Sequence, residues 1–490
     1  MRQWIISVTE QDLIGSIDRT AVLLKRICCN GSTSPIFLDY FNVNLIIMTL
    51  RNGMNDPDWY KKYPLESVFG VSNKRIISYV ERKEVDDKFV ESLTSRKHII
   101  VFGSSKQGKT SLIDKHLFDN QFVRVNCSPE TVPVDIYKSI LRQLDISFEE
   151  EVSEQFTREG EVKTSLKAKV KIPFLTDVKG SGEVSGKLGQ QSETKYKNVP
   201  YNLFLPQDIS EILMKKGFDK RIVIENFHYL DMAVQKEMSF HLRVFEESNI
   251  LFIILGIWRE KNRLVQFNGD LQDRLIEIPV EPWGYDDFKR VLFQGENPLN
   301  VLMANIVDDI IENSFGSIGV FQELCKESCV AANVFYEQID PVYIEKEHLG
   351  IAINKKLDDY YGRHIRSLEV FIQQKTGGSG ETPLFIPYYF VRLLLKLNFE
   401  LIQDGIKRSE IHEGIKDIHH RSRDVRSSDI SYFLHNLVHS QLKKNIRPPL
   451  FDYDRSTGKV KIIDSTLYYF LKHINVDHVM EEIGDPFSSF

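Results

Sequence analysis

At 490 residues the chain has room for about three domains of ordinary size. Its 42% hydrophobic and 27% charged residues support buried cores and exclude a wholly disordered polymer. A net charge of −6 excludes a surface that is basic throughout and leaves local basic faces open.

Residues 1–75 are mixed: 14–27 has helical periodicity and 41–50 is apolar, but no role follows. The start of the chain turns acidic and polar before a long apolar run develops, so no targeting signal is read. The most apolar stretches are 34–50, which polar residues interrupt, and 250–258, which is too short to span a bilayer. The expectation is a soluble, cytoplasmic protein with no membrane partner. The odd, sparse set Cys28, Cys29, Cys127, Cys325 and Cys329 reads as reduced thiols. Cys325 and Cys329 share a helix face without a His or second Cys pair beside them, so buried thiols are expected there rather than zinc.

From 76 to 282 strands and helices alternate, as in a parallel α/β sheet. Strands are expected at 98–102, 122–126, 221–225, 251–256 and 274–280, each rich in Ile, Val, Leu or Phe as burial on both faces requires. Helices are expected at 109–118, 133–144, 207–216 and 233–247. The long gap after the second strand carries period-2 patterns at 161–171 and 180–197, which predict an inserted β-hairpin at about 150–200. Between 163 and 197 eight lysines face three acids, so this insert reads as a solvated hairpin, an oligomer contact or a nucleic-acid contact.

Residues 283–354 carry helical patterns (285–292, 298–314, 319–336) that suit a small lid on the sheet. Residues 355–490 form another unit with a flexible break at 377–380. There an amphipathic helix at 428–442, a hairpin at 450–463 and a helix opened by Asp464 and Ser465 resemble a winged helix. His419 and His420 lie in a charged stretch and are expected at the surface.

Residues 98–111 read HIIVFGSSKQGKTS, which meets G-x-x-x-x-G-K-[ST] at Gly103, Gly108, Lys109 and Thr110. The loop from Gly103 through Ser104, Ser105, Lys106, Gln107 and Gly108 is expected to turn its amides inward around a β-phosphate. The following helix adds its N-terminal dipole, with Ser111 in its first turn. Lys109 reaches the β- and γ-phosphates and the Thr110 hydroxyl binds magnesium, so ATP and Mg2+ are the expected ligands. Glu225, at the tip of the third strand, is the expected magnesium ligand or catalytic base. Asn226 stands where a second acid commonly follows, which predicts slow hydrolysis.

With these residues in place, the chain resembles the additional-strand, oligomeric branch of P-loop ATPases: the AAA+ superfamily with its origin-recognition-like members, and the related STAND signalling ATPases. The resemblance covers about 76–350, and more weakly the C-terminal unit. It implies a sensor role for Arg259 at the end of the fourth strand and a trans-acting arginine finger for Arg274. It places Ile77, Tyr79 and Val80 beside the adenine. No second sensor arginine occurs in 313–319, and the Gly-x-Pro signature is not visible, so a switch or scaffold is expected rather than a fast motor.

Three functions remain open. The first is a nucleotide-gated, homo-oligomeric ATPase switch. The second is an origin-recognition-like protein binding DNA through the winged helix or the basic insert, with ATP as a structural ligand. Residues 401–450 carry nine basic residues against six acids, which favours DNA only slightly. The third is the regulatory subunit of a bacterial antiviral defence system with a separate effector, since the sequence shows no GxSxG, HExxH or CxxC motif.

Overall fold

The computed structural model describes residues 63–71, 76–156, 162–173, 196–373, 383–397 and 399–484. All belong to the compact unit that runs from Tyr60 to Phe490. The readings made for 14–27, 41–50 and 377–380, and most of 180–197, fall outside the described residues.

After α1 (Leu65–Val68) and α2 (Lys88–Leu93) comes β1 (His98–Phe102), the first strand of the central sheet. α3 (Lys109–His116), β2 (Phe122–Asn126) and α4 (Pro133–Gln143) follow. Beyond the insert lie α5 (Pro206–Lys215), β6 (Arg221–Glu225), α6 (Met232–Glu247), β7 (Phe252–Gly256), α7 (Arg263–Phe267) and β8 (Leu275–Pro279). The five strands pair in the order β2-β6-β7-β1-β8, all parallel. β1 alternates cleanly between two cores. Ile100 and Phe102 join the side covered by α4, α5 and α6, while Ile99 and Val101 face Phe89 of α2 and Leu112 of α3. Both faces are apolar, so the strands read as continuous hydrophobic runs and fall within two residues of their expected bounds.

The insert is larger than a hairpin. β3 (Ser147–Phe156), β4 (Val162–Pro173) and β5 (Tyr196–Asn202) form an antiparallel sheet in that order. The segment SFEEEVSEQF hid its strand because its run of glutamates lacks a strand-like apolar alternation. Its register sets positions 149 and 151 against 169 and 167, acid against lysine. Over 147–202 nine basic residues meet nine acids, so the insert as a whole is not basic.

α8 (Tyr285–Leu299) runs through Pro298 and stops at Asn300 in the left-handed region, where sequence reading had begun a new helix. Pro298 lies in the last turn, so only a terminal hydrogen bond is lost. The short strands β9 (Val301–Leu302) and β10 (Val342–Tyr343) pair in parallel beside α9 (Val307–Ser314) and α10 (Ile318–Ala331). α11 (Lys346–Ile372) crosses the boundary expected at 354 as one continuous helix, so lid and C-terminal unit share an element.

The C-terminal unit adds α12 (Ile386–Leu394), α13 (Phe399–Asp404), β11 (Ile406–Lys407), α14 (Arg408–Ile418), α15 (Ser427–His435) and α16 (Leu437–Lys443). β12 (Phe451–Asp454), β13 (Lys459–Ile462), α17 (Ser465–His473) and α18 (Val476–Ile483) complete it, with an antiparallel sheet β11-β13-β12. The single helix expected at 428–442 is broken at Asn436. His419 is buried, contrary to expectation, because its ring packs tilted against Tyr389 and both nitrogens bond to backbone, at Leu384 and Arg421. Cys325 and Cys329 are buried thiols, as expected, and burial pushes the Cys329 thiol up to about 12. No cluster of three or more metal-binding side chains occurs among the described residues.

Candidate nucleotide-binding site

β1 lies inside the sheet between β7 and β8, and the chain leaves its carboxyl end through Gly103. A side chain at Gly103 would meet Val280 at 2.7 Å and the Glu281 carboxylate at 3.2 Å, so only glycine fits this close approach. Gly108 turns the loop into α3 with φ +80°, a left-handed conformation. α3 has no acid in its first turn, which leaves its N-terminal dipole unopposed. Lys109 donates back to the carbonyls of Gly103 (3.1 Å) and Ser104 (2.6 Å). Burial pushes its ammonium down to about 8, with Glu281 opposing the shift.

A cavity of about 600 Å³ opens beside this loop. It is lined by Lys106–Leu112, by Arg124 and Asn126 of β2, and by Glu225 and His228 at and after the end of β6. Tyr79, Val80, Trp283, Ile318 and Gly319 line it as well. A glycine-bounded loop between a parallel strand and a helix, with a strand-end carboxylate on the same cavity, decides the fold. It is the P-loop NTPase fold. The P-loop strand is separated from the strand bearing Glu225 by β7, the arrangement of the additional-strand type.

No family model matches the sequence, and no curated protein does. Among solved structures, the chain is similar to the Walker-type ATPase PABY2304 of Pyrococcus abyssi, at 14% identity and TM-score 0.42, over 81% of this chain and all of that one. It is similar to Aeropyrum pernix Orc1, solved in complex with DNA, at 12% identity and TM-score 0.38, over 85% of this chain and 98% of that one. It is also similar to Cdc6p of Pyrobaculum aerophilum, at 12% identity and TM-score 0.35, over 85% of this chain and all of that one.

Glu225 reaches the cavity because β6 ends there, in register with Asn126 of β2. Burial raises its carboxyl above the usual range, and Arg124, 3.2 Å from Oε1, pulls the other way. Oε1 is buried and is held by that ion pair without a well-aligned hydrogen bond. A carboxylate placed here suits a hydrated divalent cation that takes over from Arg124 as its partner; such a cation commonly takes one or two protein oxygens and completes its shell with phosphate and water. Thr110 lines the same cavity. Asn226 adopts φ +59°, a left-handed turn that asparagine tolerates well, which gives a backbone reason for its place after Glu225.

Of the adenine-side residues, Tyr79 and Val80 line the cavity, while Ile77 packs into the lid core. The two expected arginines do not line it. Arg259 lies behind the P-loop, donating to Ser104 Oγ (2.8 Å) and to Glu281 (2.9 Å), while the other Glu281 oxygen accepts from the Ser104 amide (2.7 Å). Arg274 sits at the opposite end of its strand, where its carbonyl accepts from His98 N and its side chain pairs with Glu246 and Glu247. Within the chain it is thus a surface ion pair.

Sequence reading missed Arg124, His228, Trp283 and Glu281. The available signal was their position: polar or aromatic residues just inside or beyond the carboxyl ends of parallel strands, where such sheets bind ligands. It also missed what supports the loop. The Ser105 amide donates to the Ile463 carbonyl (3.1 Å) and Ser465 Oγ donates to the Ser105 carbonyl (3.1 Å), joining the P-loop to the start of α17. Gly319, at the start of α10, touches the same loop: a Cβ there would lie 2.4 Å from Lys106 Cβ and 2.8 Å from its carbonyl. Gly319→Ala therefore displaces the loop tip. We expect at least a tenfold weaker affinity for ATP by calorimetry, with melting temperature changed far less than affinity.

Proposed function

We propose that this chain is a slowly hydrolysing ATPase of the AAA+/STAND type that acts as a nucleotide-gated, homo-oligomeric switch. The observation that carries the reading is the double role of the P-loop. One side faces the cavity, and the other is hydrogen-bonded to the C-terminal unit through Ser105, Ile463 and Ser465. Closing the loop around a triphosphate would alter those bonds, giving the nucleotide a route to α17 and the hairpin beside it.

In this reading the base stacks toward Tyr79, Val80 and Trp283, and the phosphates lie against Lys109 and the loop and helix start at Lys106–Ser111. Thr110 and Glu225 would hold magnesium, which when bound neutralises charge on the phosphate oxygens. Glu225, with its raised carboxyl, orients the attacking water. Arg124 pairs with Asp114 and Glu225, so part of the Glu225 charge is already engaged, which also favours slow turnover.

The test is size-exclusion chromatography with ATP, ADP and no nucleotide, on wild type, Lys109→Ala and Glu225→Gln. We expect assembly with ATP that is retained in Glu225→Gln and lost in Lys109→Ala. Turnover should fall by about 100-fold in Glu225→Gln, the scale of a lost general base. Identical monomers in every lane would remove the switch. A second reading is supported by the C-terminal topology. Three helices, α14, α15 and the short α16, precede the β12–β13 hairpin, and Tyr432 of α15 is 72% exposed, as in a winged helix presenting a face to a duplex. Affinity for duplex DNA that falls steeply with salt would favour it. No helix among the described residues is long and apolar enough to cross a membrane.

A further inference from the structure

His228 is the buried group in the cavity that the mechanism above leaves unused. It follows Glu225 by three residues, in the 3-10 turn Phe227–Tyr229, and its ring packs on Tyr229 at 4.1 Å between centroids. It is 2% exposed and lines the cavity together with Lys109 and Glu225. Neither ring nitrogen has a hydrogen-bond partner in the protein.

Other buried histidines show how unusual that is in this fold. His98 uses one nitrogen on the Leu242 carbonyl (2.8 Å) and the other on the Phe252 amide (3.0 Å). His419 likewise bonds through both nitrogens. A buried polar group without a partner is costly, so an imidazole held this way at a cavity wall is placed for a ligand. Burial, then Lys109 and Arg263, hold the ring neutral, which leaves it one N–H donor and one acceptor.

The remaining polar groups narrow its role. Arg259, expected as the sensor, is turned away from the cavity and held by Glu281 and Ser104. Arg124 is engaged by Asp114 and Glu225. His228 lines the cavity with Lys109, whose charge acts on the ring, and follows the Glu225 strand tip by three residues, so the phosphates are the part of a bound nucleotide it is placed to meet.

We propose that His228 reads the γ-phosphate, its ring N–H donating to a terminal phosphate oxygen, so that the site distinguishes a nucleoside triphosphate from a diphosphate. The inference rests on the nucleotide reading proposed above and goes one step further, to the residue that tells the two nucleotides apart.

Calorimetry of Mg-ATP and Mg-ADP on the full chain tests it in wild type, His228→Ala and His228→Gln. In His228→Ala the ATP affinity should fall by about tenfold or more, the scale of a lost hydrogen bond to a charged group, with ADP affinity little changed. His228→Gln keeps a donor at similar reach and should retain most of the ATP preference. Affinities that fall together for both nucleotides, or that do not change, would mean that the ring only packs, and the proposal is lost. Thermal melts of each variant separate that result from unfolding, and the Gln variant stands if the Ala variant does not fold. A wild-type chain that binds neither nucleotide would remove the nucleotide reading itself, an outcome the comparison of variants does not mimic.

Discussion

Replacing Lys109 with alanine should weaken Mg-ATP binding by about 100-fold or more, measured by calorimetry, while the protein stays folded. A hydrogen bond to a charged partner contributes about 1.5–3 kcal/mol, and an ammonium at the β- and γ-phosphates makes more than one such bond. The bonds Lys109 makes to the Gly103 and Ser104 carbonyls in the free loop offset part of this, which is why the figure is not larger. The pH dependence is a second reading of the same group. Lys109 is pushed down to about 8 by burial, and a bound polyanion favours its charged form. Below pH 8 the free ammonium is already protonated, so this group leaves affinity flat. Above pH 8 binding must take up a proton, and affinity should fall toward about tenfold per pH unit. That upper-limb slope should vanish in Lys109→Ala. Unchanged ATP affinity in Lys109→Ala would mean that phosphates do not sit on this loop.

Gly256→Ala should destabilise the fold by about 3 kcal/mol or more, or prevent folding, measured by chemical denaturation. A Cβ at Gly256 would lie 1.6 Å from the Trp258 indole. The indole cannot yield: it is fully buried, stacked on Phe102 at 6.4 Å between centroids, edge-on to Phe227 at the same distance, and covered by Arg263. Relief would have to move β7 itself, which is hydrogen-bonded on both sides by β6 and β1. Gly362→Ala is the contrast. It lies on the exposed side of α11, where an added methyl meets nothing within 4 Å, and should stabilise by about 0.5–1 kcal/mol. Equal effects from the two substitutions would mean that helix and strand propensity, not packing, dominates.

The central strands were legible because each carries its own signature. HIIVF, FVRVN and RIVIE are short β-branched or aromatic runs bounded by polar residues; HIIVF is buried on both faces, and the edge strand FVRVN keeps Val123 and Val125 buried on one. The P-loop was legible for the same reason: its glycines, lysine and threonine all fall within residues 103–110, and the bonds from Lys109 to the loop close within six residues. The strand at Ser147–Phe156 was not, because its pairing partner, and not its own composition, makes it a strand. The roles of the arginines were not legible either. Arg259 and Glu281 are 22 residues apart, Glu281 and Ser104 are 177 apart, and no local pattern announces that they meet. Resemblance assigned Arg259 to the phosphates; a carboxylate just past the neighbouring strand β8 holds it behind the loop instead.

The sequence by itself determined the parallel sheet, the loop at its centre and the carboxylate at Glu225, since short-range sterics and hydrophobic periodicity write those into adjacent residues. Only the tertiary structure decided which side chains enter the cavity. It brought His228 and Arg124 to the wall, and it tied Ser105 to Ser465 across 360 residues of chain. Such contacts are set by how the elements pack against one another, and packing is a property of the assembled core that no local stretch of sequence contains.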